Sequence, residues 1–153
     1  KMFSDKINSI DELPDGAQIA IPNDMTNQEK ALKLLIKEGL IKLEEGAESY
    51  TVLNIAENPK SLELIEMDQF EIPSAMEDVD AIVVNVDYLL MAGFDVSSPI
   101  STQSAGEEYP IIIAIRPGDK EEQWVKDLED SMTTDHMRDF ILERYEGAYT
   151  PMF

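Results

Sequence analysis

The sequence predicts an α/β fold with a mainly parallel sheet. Two observations carry that reading. Short apolar runs recur at residues 17–21, 62–67, 80–84 and 111–116, and stretches with helical spacing lie between and after them. Three of the runs end in a polar turn that leads toward a helix, as in Pro22-Asn23-Asp24, Asn85-Val86-Asp87 and Pro117-Gly118-Asp119. Strands alternating with helices in this way form sheets whose crossover helices cover the faces.

Taken in order, Ser9 and Glu12 have capping-box spacing, so each side chain can satisfy an amide at the start of a short helix. Asp15-Gly16 turns the chain. Ala17 to Ile21 (AQIAI) reads as a short buried strand ended by Pro22, which has no amide to give a ladder. After the loop Asn23-Asp24-Met25, Thr26 and Glu29 form a second capping box. They open the strongest helix, with Ala31, Leu32, Leu34, Leu35 and Ile36 on its apolar face and Lys30, Lys33 and Lys37 mostly turned away. Gly39 followed by Leu40 predicts a Schellman ending.

Thr51 is expected to cap a short helix through Ala56, before Pro59. Leu62 to Met67 (LELIEM) is a strand, and Ser74 to Glu77 one helical turn. Asp80 to Val84 (DAIVV) is a dense β-branched run and the expected central parallel strand. A helix follows it to about Ala92, stopped by Gly93. Residues 94–108 read as loop, and Ile111 to Ile115 (IIIAI) as a third buried strand. Two helices close the chain. One covers about residues 120–130, with Trp124, Val125 and Leu128 as its core face. The other runs from Asp135 to Tyr145, with Met137, Phe140, Ile141 and Tyr145 inward, and ends at Gly147.

Composition excludes several functions. The 153 residues hold 32 acidic and 12 basic side chains, for a formal charge of −20. Phosphate backbones and anionic lipid would be repelled, so nucleic acid is not an expected partner. There is no cysteine, which removes disulfides, thiolate nucleophiles and Cys-ligated metals. No apolar run approaches the roughly 20 residues of a membrane span. The chain has no GxGxxG, GxxxxGK followed by Ser or Thr, HExxH or GxSxG motif. Its one histidine, His136, sits on a helix with the character of a surface residue. The reading is therefore not an enzyme, with no catalytic residue, no metal and no cofactor.

Two features stand out, both at strand carboxyl ends, where open α/β sheets bind ligands. Pro22–Asn27 offers asparagine amides that both donate and accept, beside a helix start whose amides attract carboxylates, with Lys30 one turn in. The plainer reading has Asn23 and Asp24 as turn formers and Thr26 as a cap. Asn85, directly after a buried strand, is either the N-cap of the next helix or a ligand-binding amide, with Tyr88 adding an apolar face and a hydroxyl.

These residues carry a resemblance. Leu13–Asn27 (LPDGAQIAIPNDMTN) is similar to the signature L-x-D-G-A-x-V/I-A-V/I-P-N-D-P-T-N of the methionine-binding lipoproteins of bacterial ABC importers, the NlpA-type lipoprotein family. Ala31–Leu43 resembles that family's A-L-x-L-L-x-x-x-G-L-I-x-L, and Glu57–Leu62 its E-N-P-K-x-L. Val79–Tyr88 resembles D-x-D-A-A-V-I-N-x-x-Y-A. Tyr109–Arg116 is similar to P-Y-x-N-I-I-x-x-R with the first two residues exchanged, and Tyr145–Gly147 and Phe153 resemble the family's usual ending. The match runs in order over essentially the whole chain.

The resemblance implies a type II periplasmic-binding-protein fold, with residues 1–95 as the second α/β lobe and 96–153 as the return into a first lobe whose N-terminal part is missing. It implies the substrate-binding component of an importer, holding methionine or a related amino acid or short peptide in an interlobe cleft, with Asn27, Lys30, Asn85 and Tyr88 as binding positions. Lys30 stands where the family has arginine, and Met25 where it has proline. The implied partners are a permease and an ATPase. The implied location is extracytoplasmic, with a lipid anchor on a cysteine outside this chain. A ligand-sensing lobe of a regulator or receptor is the alternative. Because 111–115 is apolar at every position, a homodimer formed through residues 94–153 is a further expectation.

Overall fold

The structure, a computed structural model, describes residues 1–103, 110–145 and 149–153. The expected helix stop at Gly147, Tyr109 and residues 104–108 of the expected loop lie outside these. Two compact units are present, Lys1–Gln103 and Ser104–Phe153.

The first unit contains β1 (Met2–Phe3), β2 (Gln18–Pro22), α1 (Met25–Lys37), β3 (Lys42–Leu43), β4 (Ile55–Glu57), β5 (Glu63–Met67), β6 (Ala81–Val83) and α2 (Val86–Met91). Four strands form one sheet in the order β1-β6-β2-β5. β2 runs parallel to both neighbours, pairing Gln18 with Glu63 through Pro22 with Met67 on one side, and Ile19 with Ala81 on the other. β6 is an inner strand, as its β-branched sequence predicts. β1 closes the edge antiparallel to it. The buried Ile19, Ile21, Leu32, Leu34, Leu35 and Val83 join the sheet to α1 in one apolar cluster.

α1 ends as its sequence predicts. Gly39 has φ +72°, its amide donates to Ile36 O at 2.9 Å, and the Leu40 amide donates to Leu35 O at 2.9 Å. That pair of bonds is the Schellman motif, and it needs a residue at ease in the left-handed region. No atom lies where an added Cβ would fall, so Gly39→Ala is expected to cost only the conformational penalty, about 1–2 kcal/mol, read from urea unfolding.

Three local expectations are corrected. The N-cap of α1 is Asp24, whose Oδ1 accepts from the Asn27 amide at 3.1 Å; Thr26 lies within the first turn. Thr51 precedes only a 3₁₀ turn, Val52–Asn54, after which Ile55–Glu57 pairs with Lys42–Leu43 as a small antiparallel sheet instead of continuing as helix. The turn near Ser74 is a 3₁₀ helix over Ile72–Ala75.

The second unit contains α3 (Gln123–Met132) and α4 (Asp135–Arg144), the latter capped by Thr134 accepting from the Met137 amide at 3.1 Å. Residues 110–116 are neither strand nor helix, and Ile111 is 82% exposed. Extended chain becomes a strand only where a neighbour takes its amides, and an apolar run does not encode which neighbour that is. No residue of α3 or α4 is buried; Trp124 is 50% and Phe140 49% exposed, while Val125, Leu128, Met137 and Ile141 are half-buried, so their expected core faces are only partly covered.

Candidate functional site

Because β6, β2 and β5 are parallel neighbours, their carboxyl ends share one edge of the sheet. Asn23 and Asp24 follow β2, Asp68 to Phe70 follow β5, and Asn85 follows β6. A depression of about 270 Å³ opens there, lined by Asn23, Asp24, Asn27, Asp68, Gln69, Phe70 and Tyr88. Sites for drug-sized ligands run to roughly 300–1,000 Å³, so this one suits a small metabolite. α1 is held over the edge by the buried Gln28, whose Nε2 donates to Pro22 O at 3.3 Å and to Glu66 Oε1.

A relay of amides crosses the site. Asn27 Nδ2 donates to the Asp24 carboxylate, at 2.9 Å to Oδ1 and 3.2 Å to Oδ2. A carboxylate only accepts, so the Asn27 carbonyl must face the other way. There Oδ1 accepts from Asn85 Nδ2 at 2.9 Å and from Lys30 Nζ at 3.4 Å. The direction of every amide in the relay is therefore set by one charge. Asn85 occupies the N-cap position of α2 but makes no side-chain cap bond. Its amide is spent across the sheet edge, on a residue 58 positions away.

Asp24 also changes the electrostatics expected of the helix start. Its own carboxylate sits at the cap and takes the Asn27 amide. Any ligand carboxylate is thus favoured on the Lys30 side of Asn27, and any ligand ammonium on the Asp24 side. Tyr88 stands edge-to-face with Phe70, with ring centroids 4.8 Å apart and planes at 85°. Partial burial, then Asp87, Asp24 and Asp68, push its hydroxyl pKa above the usual tyrosine value. The hydroxyl stays protonated at neutral pH and can donate.

All four sequence-predicted positions converge: Asn27, Lys30 and Asn85 are bonded together, and Tyr88 shares the depression with Asn27. The loop after β5 escaped the sequence reading. Asp68, Gln69 and Phe70 line the same depression, and the rule that points to strand carboxyl ends would have found them had it been applied to the 62–67 strand as well. Among the described residues no group of three acidic or histidine side chains is placed to hold a metal ion, and no helix is long and apolar enough to cross a membrane.

Comparison with known proteins agrees with the residue pattern. The probable D-methionine-binding lipoprotein MetQ of Haemophilus influenzae is 38% identical over 137 residues, covering 88% of this chain and 50% of that protein. The D-methionine-binding lipoprotein MetQ of Escherichia coli K12 is 34% identical over 150 residues, covering 95% of this chain and 55% of its own length. The chain thus spans about half the length of the curated relatives it matches. A nutrient binding protein from Burkholderia cenocepacia, solved bound to methionine, superposes with a TM-score of 0.90 at 38% identity, covering 99% of this chain and 65% of that one. The family model for NlpA lipoprotein matches residues 1–153, and the chain belongs to that family.

Proposed function

We propose that the protein is the substrate-binding component of an ABC importer and binds methionine or a closely related amino acid at the carboxyl ends of β2, β5 and β6. The observation that supports this most is the Asp24–Asn27–Asn85 relay with Lys30 on the Asn27 carbonyl. It presents carboxylates on one side and a cation on the other, which is the charge pattern of a zwitterion. Tyr88 and Phe70 add an aromatic wall for an apolar side chain. Asn85 has given one of its two N–H donors to Asn27, and its carbonyl oxygen serves as an acceptor for the ligand.

In this reading residues 1–95 form one wall of an interlobe cleft, and 96–153 return into the opposite lobe. The permease and ATPase of an importer are the macromolecular partners, and a lipid anchor holds the protein on the extracytoplasmic side. These extensions are supported by the family and by the names of its relatives.

Lys30 gives the direct test. A lysine supplies a mobile point charge, whereas arginine would hold a carboxylate bidentately. Calorimetric titration with L-methionine is expected to show tighter binding by Lys30→Arg. Lys30→Met is expected to weaken binding by roughly tenfold, on the scale of one lost charged hydrogen bond. Equal affinities for all three proteins would place Lys30 outside the site, and absence of any heat for the unaltered protein would remove the methionine reading.

A further inference from the structure

The wall contributed by the end of β5 holds a group that the amide relay does not use. Gln69 lines the depression yet is only 7% exposed. Its Nε2 donates to Asp24 Oδ2 at 3.2 Å. Because a carboxylate cannot donate, that bond identifies the amide nitrogen and leaves Oε1 on the other side. Oε1 is buried and has no hydrogen-bond partner among the described residues. Folded proteins seldom leave a buried amide oxygen without a donor, because its lost hydration is not repaid.

The surroundings indicate what donor would suit it. Asp24 already accepts from the Asn27 amide, the Asn27 side chain and Gln69. Asp68 Oδ1 accepts from the Phe70 amide at 2.9 Å. This wall therefore combines two carboxylates with an acceptor that has no donor. Lys30 bonds the end of the Asn27 amide turned away from Asp24. A cationic N–H donor is favoured here and an anion is disfavoured.

We infer that Gln69 is a specificity residue for the α-ammonium group of the ligand. Its Oε1 accepts one ammonium N–H, while Asp24 and Asp68 supply the opposing charge. The terminal torsion of a glutamine is soft, so a modest rotation presents Oε1 to a group settling against this wall. The inference rests on the amino-acid reading above and deepens it by fixing the ligand's polarity: ammonium toward β5, carboxylate toward Lys30.

The test compares L-methionine with its α-hydroxy analogue, which differs only in replacing the ammonium by a neutral hydroxyl. Affinities are measured by calorimetry for the unaltered protein, Gln69→Met and Gln69→Glu. The unaltered protein is expected to prefer methionine. Gln69→Met is expected to lose about tenfold or more of that preference, through weaker methionine binding, with the hydroxy analogue nearly unchanged. Gln69→Glu keeps an acceptor but replaces the Nε2 donor to Asp24 by a second carboxylate oxygen. The methionine ammonium offsets that added negative charge and the neutral hydroxyl does not, so the preference is expected to be kept or widened, which provides the reading if Gln69→Met fails to fold.

Equal losses on both ligands in Gln69→Met would show that Gln69 acts only by supporting Asp24 and the α1 cap, and would overturn the inference while leaving methionine binding intact. Loss of the preference in Gln69→Glu would overturn it as well. Failure of the unaltered protein to bind methionine at all would overturn the functional reading, and this inference with it.

Discussion

Asn85→Ala is expected to weaken methionine binding by roughly tenfold or more while leaving the fold nearly as stable. Hydrogen bonds to charged ligand groups are worth about 1.5–3 kcal/mol, and each 1.4 kcal/mol is tenfold in affinity. The substitution removes the Asn85 carbonyl offered to the ligand. It also removes the 2.9 Å donor to the Asn27 carbonyl, leaving that oxygen to the longer 3.4 Å contact with Lys30 within the relay. Stability should change little, because the Asn85 side chain makes no cap bond to α2. Calorimetry and thermal unfolding separate the two effects. Unchanged affinity with a clear fall in Tm would return Asn85 to the role of a helix cap.

Leu35→Ala is expected to cost about 2–5 kcal/mol in urea unfolding of the first unit, the range for emptying a filled core position. Leu35 is completely buried in the cluster that joins α1 to the sheet. The same helix carries Asn27 and Lys30 and begins at the Asp24 cap, so loosening it should also weaken the site. Leu53→Ala is the internal control: Leu53 is 88% exposed, and its truncation should fall within about 0.5 kcal/mol of no effect. A loss below about 1 kcal/mol for Leu35→Ala would mean that α1 is not packed on β2 as described.

Much of the first unit was legible because local chemistry and tertiary structure agree there. The runs ending at Pro22, Met67 and Val83 are strands, and Gly39 and Gly93 each end a helix with a left-handed turn. What was not legible depended on partners distant in sequence. Met2–Phe3 is too short to announce itself and is a strand only because β6 accepts it. Thr51–Ala56 has a helical start signal, yet Ile55–Glu57 is drawn into pairing with Lys42–Leu43. Ile111–Ile115 has the composition of a buried strand, yet residues 111–114 are exposed and Ile115 is only half-buried, since no apolar run states what will cover it.

The candidate site divides in the same way. Asn85 had two readings of equal standing on local grounds, and the bond to Asn27 is what separates them. Asp24 read as a turn former; its three donors show it to be the charge that orders the amides around it. Gln69 follows a strand with no glycine or proline to mark its end, so only the position of that strand's carboxyl end in the sheet brings it to the site.

The central claim is that a zwitterionic amino acid binds at the Asn27–Asn85 relay. Side-chain amide signals in nitrogen-edited NMR report on this directly, since both residues carry an NH₂ at the site. Adding L-methionine should shift and saturably order the Asn27 and Asn85 side-chain resonances, with Gln69 following, while Asn58, whose amide is engaged with Leu62 in a remote turn, stays in place. Saturable methionine binding that leaves the Asn27 and Asn85 signals unmoved would contradict the account.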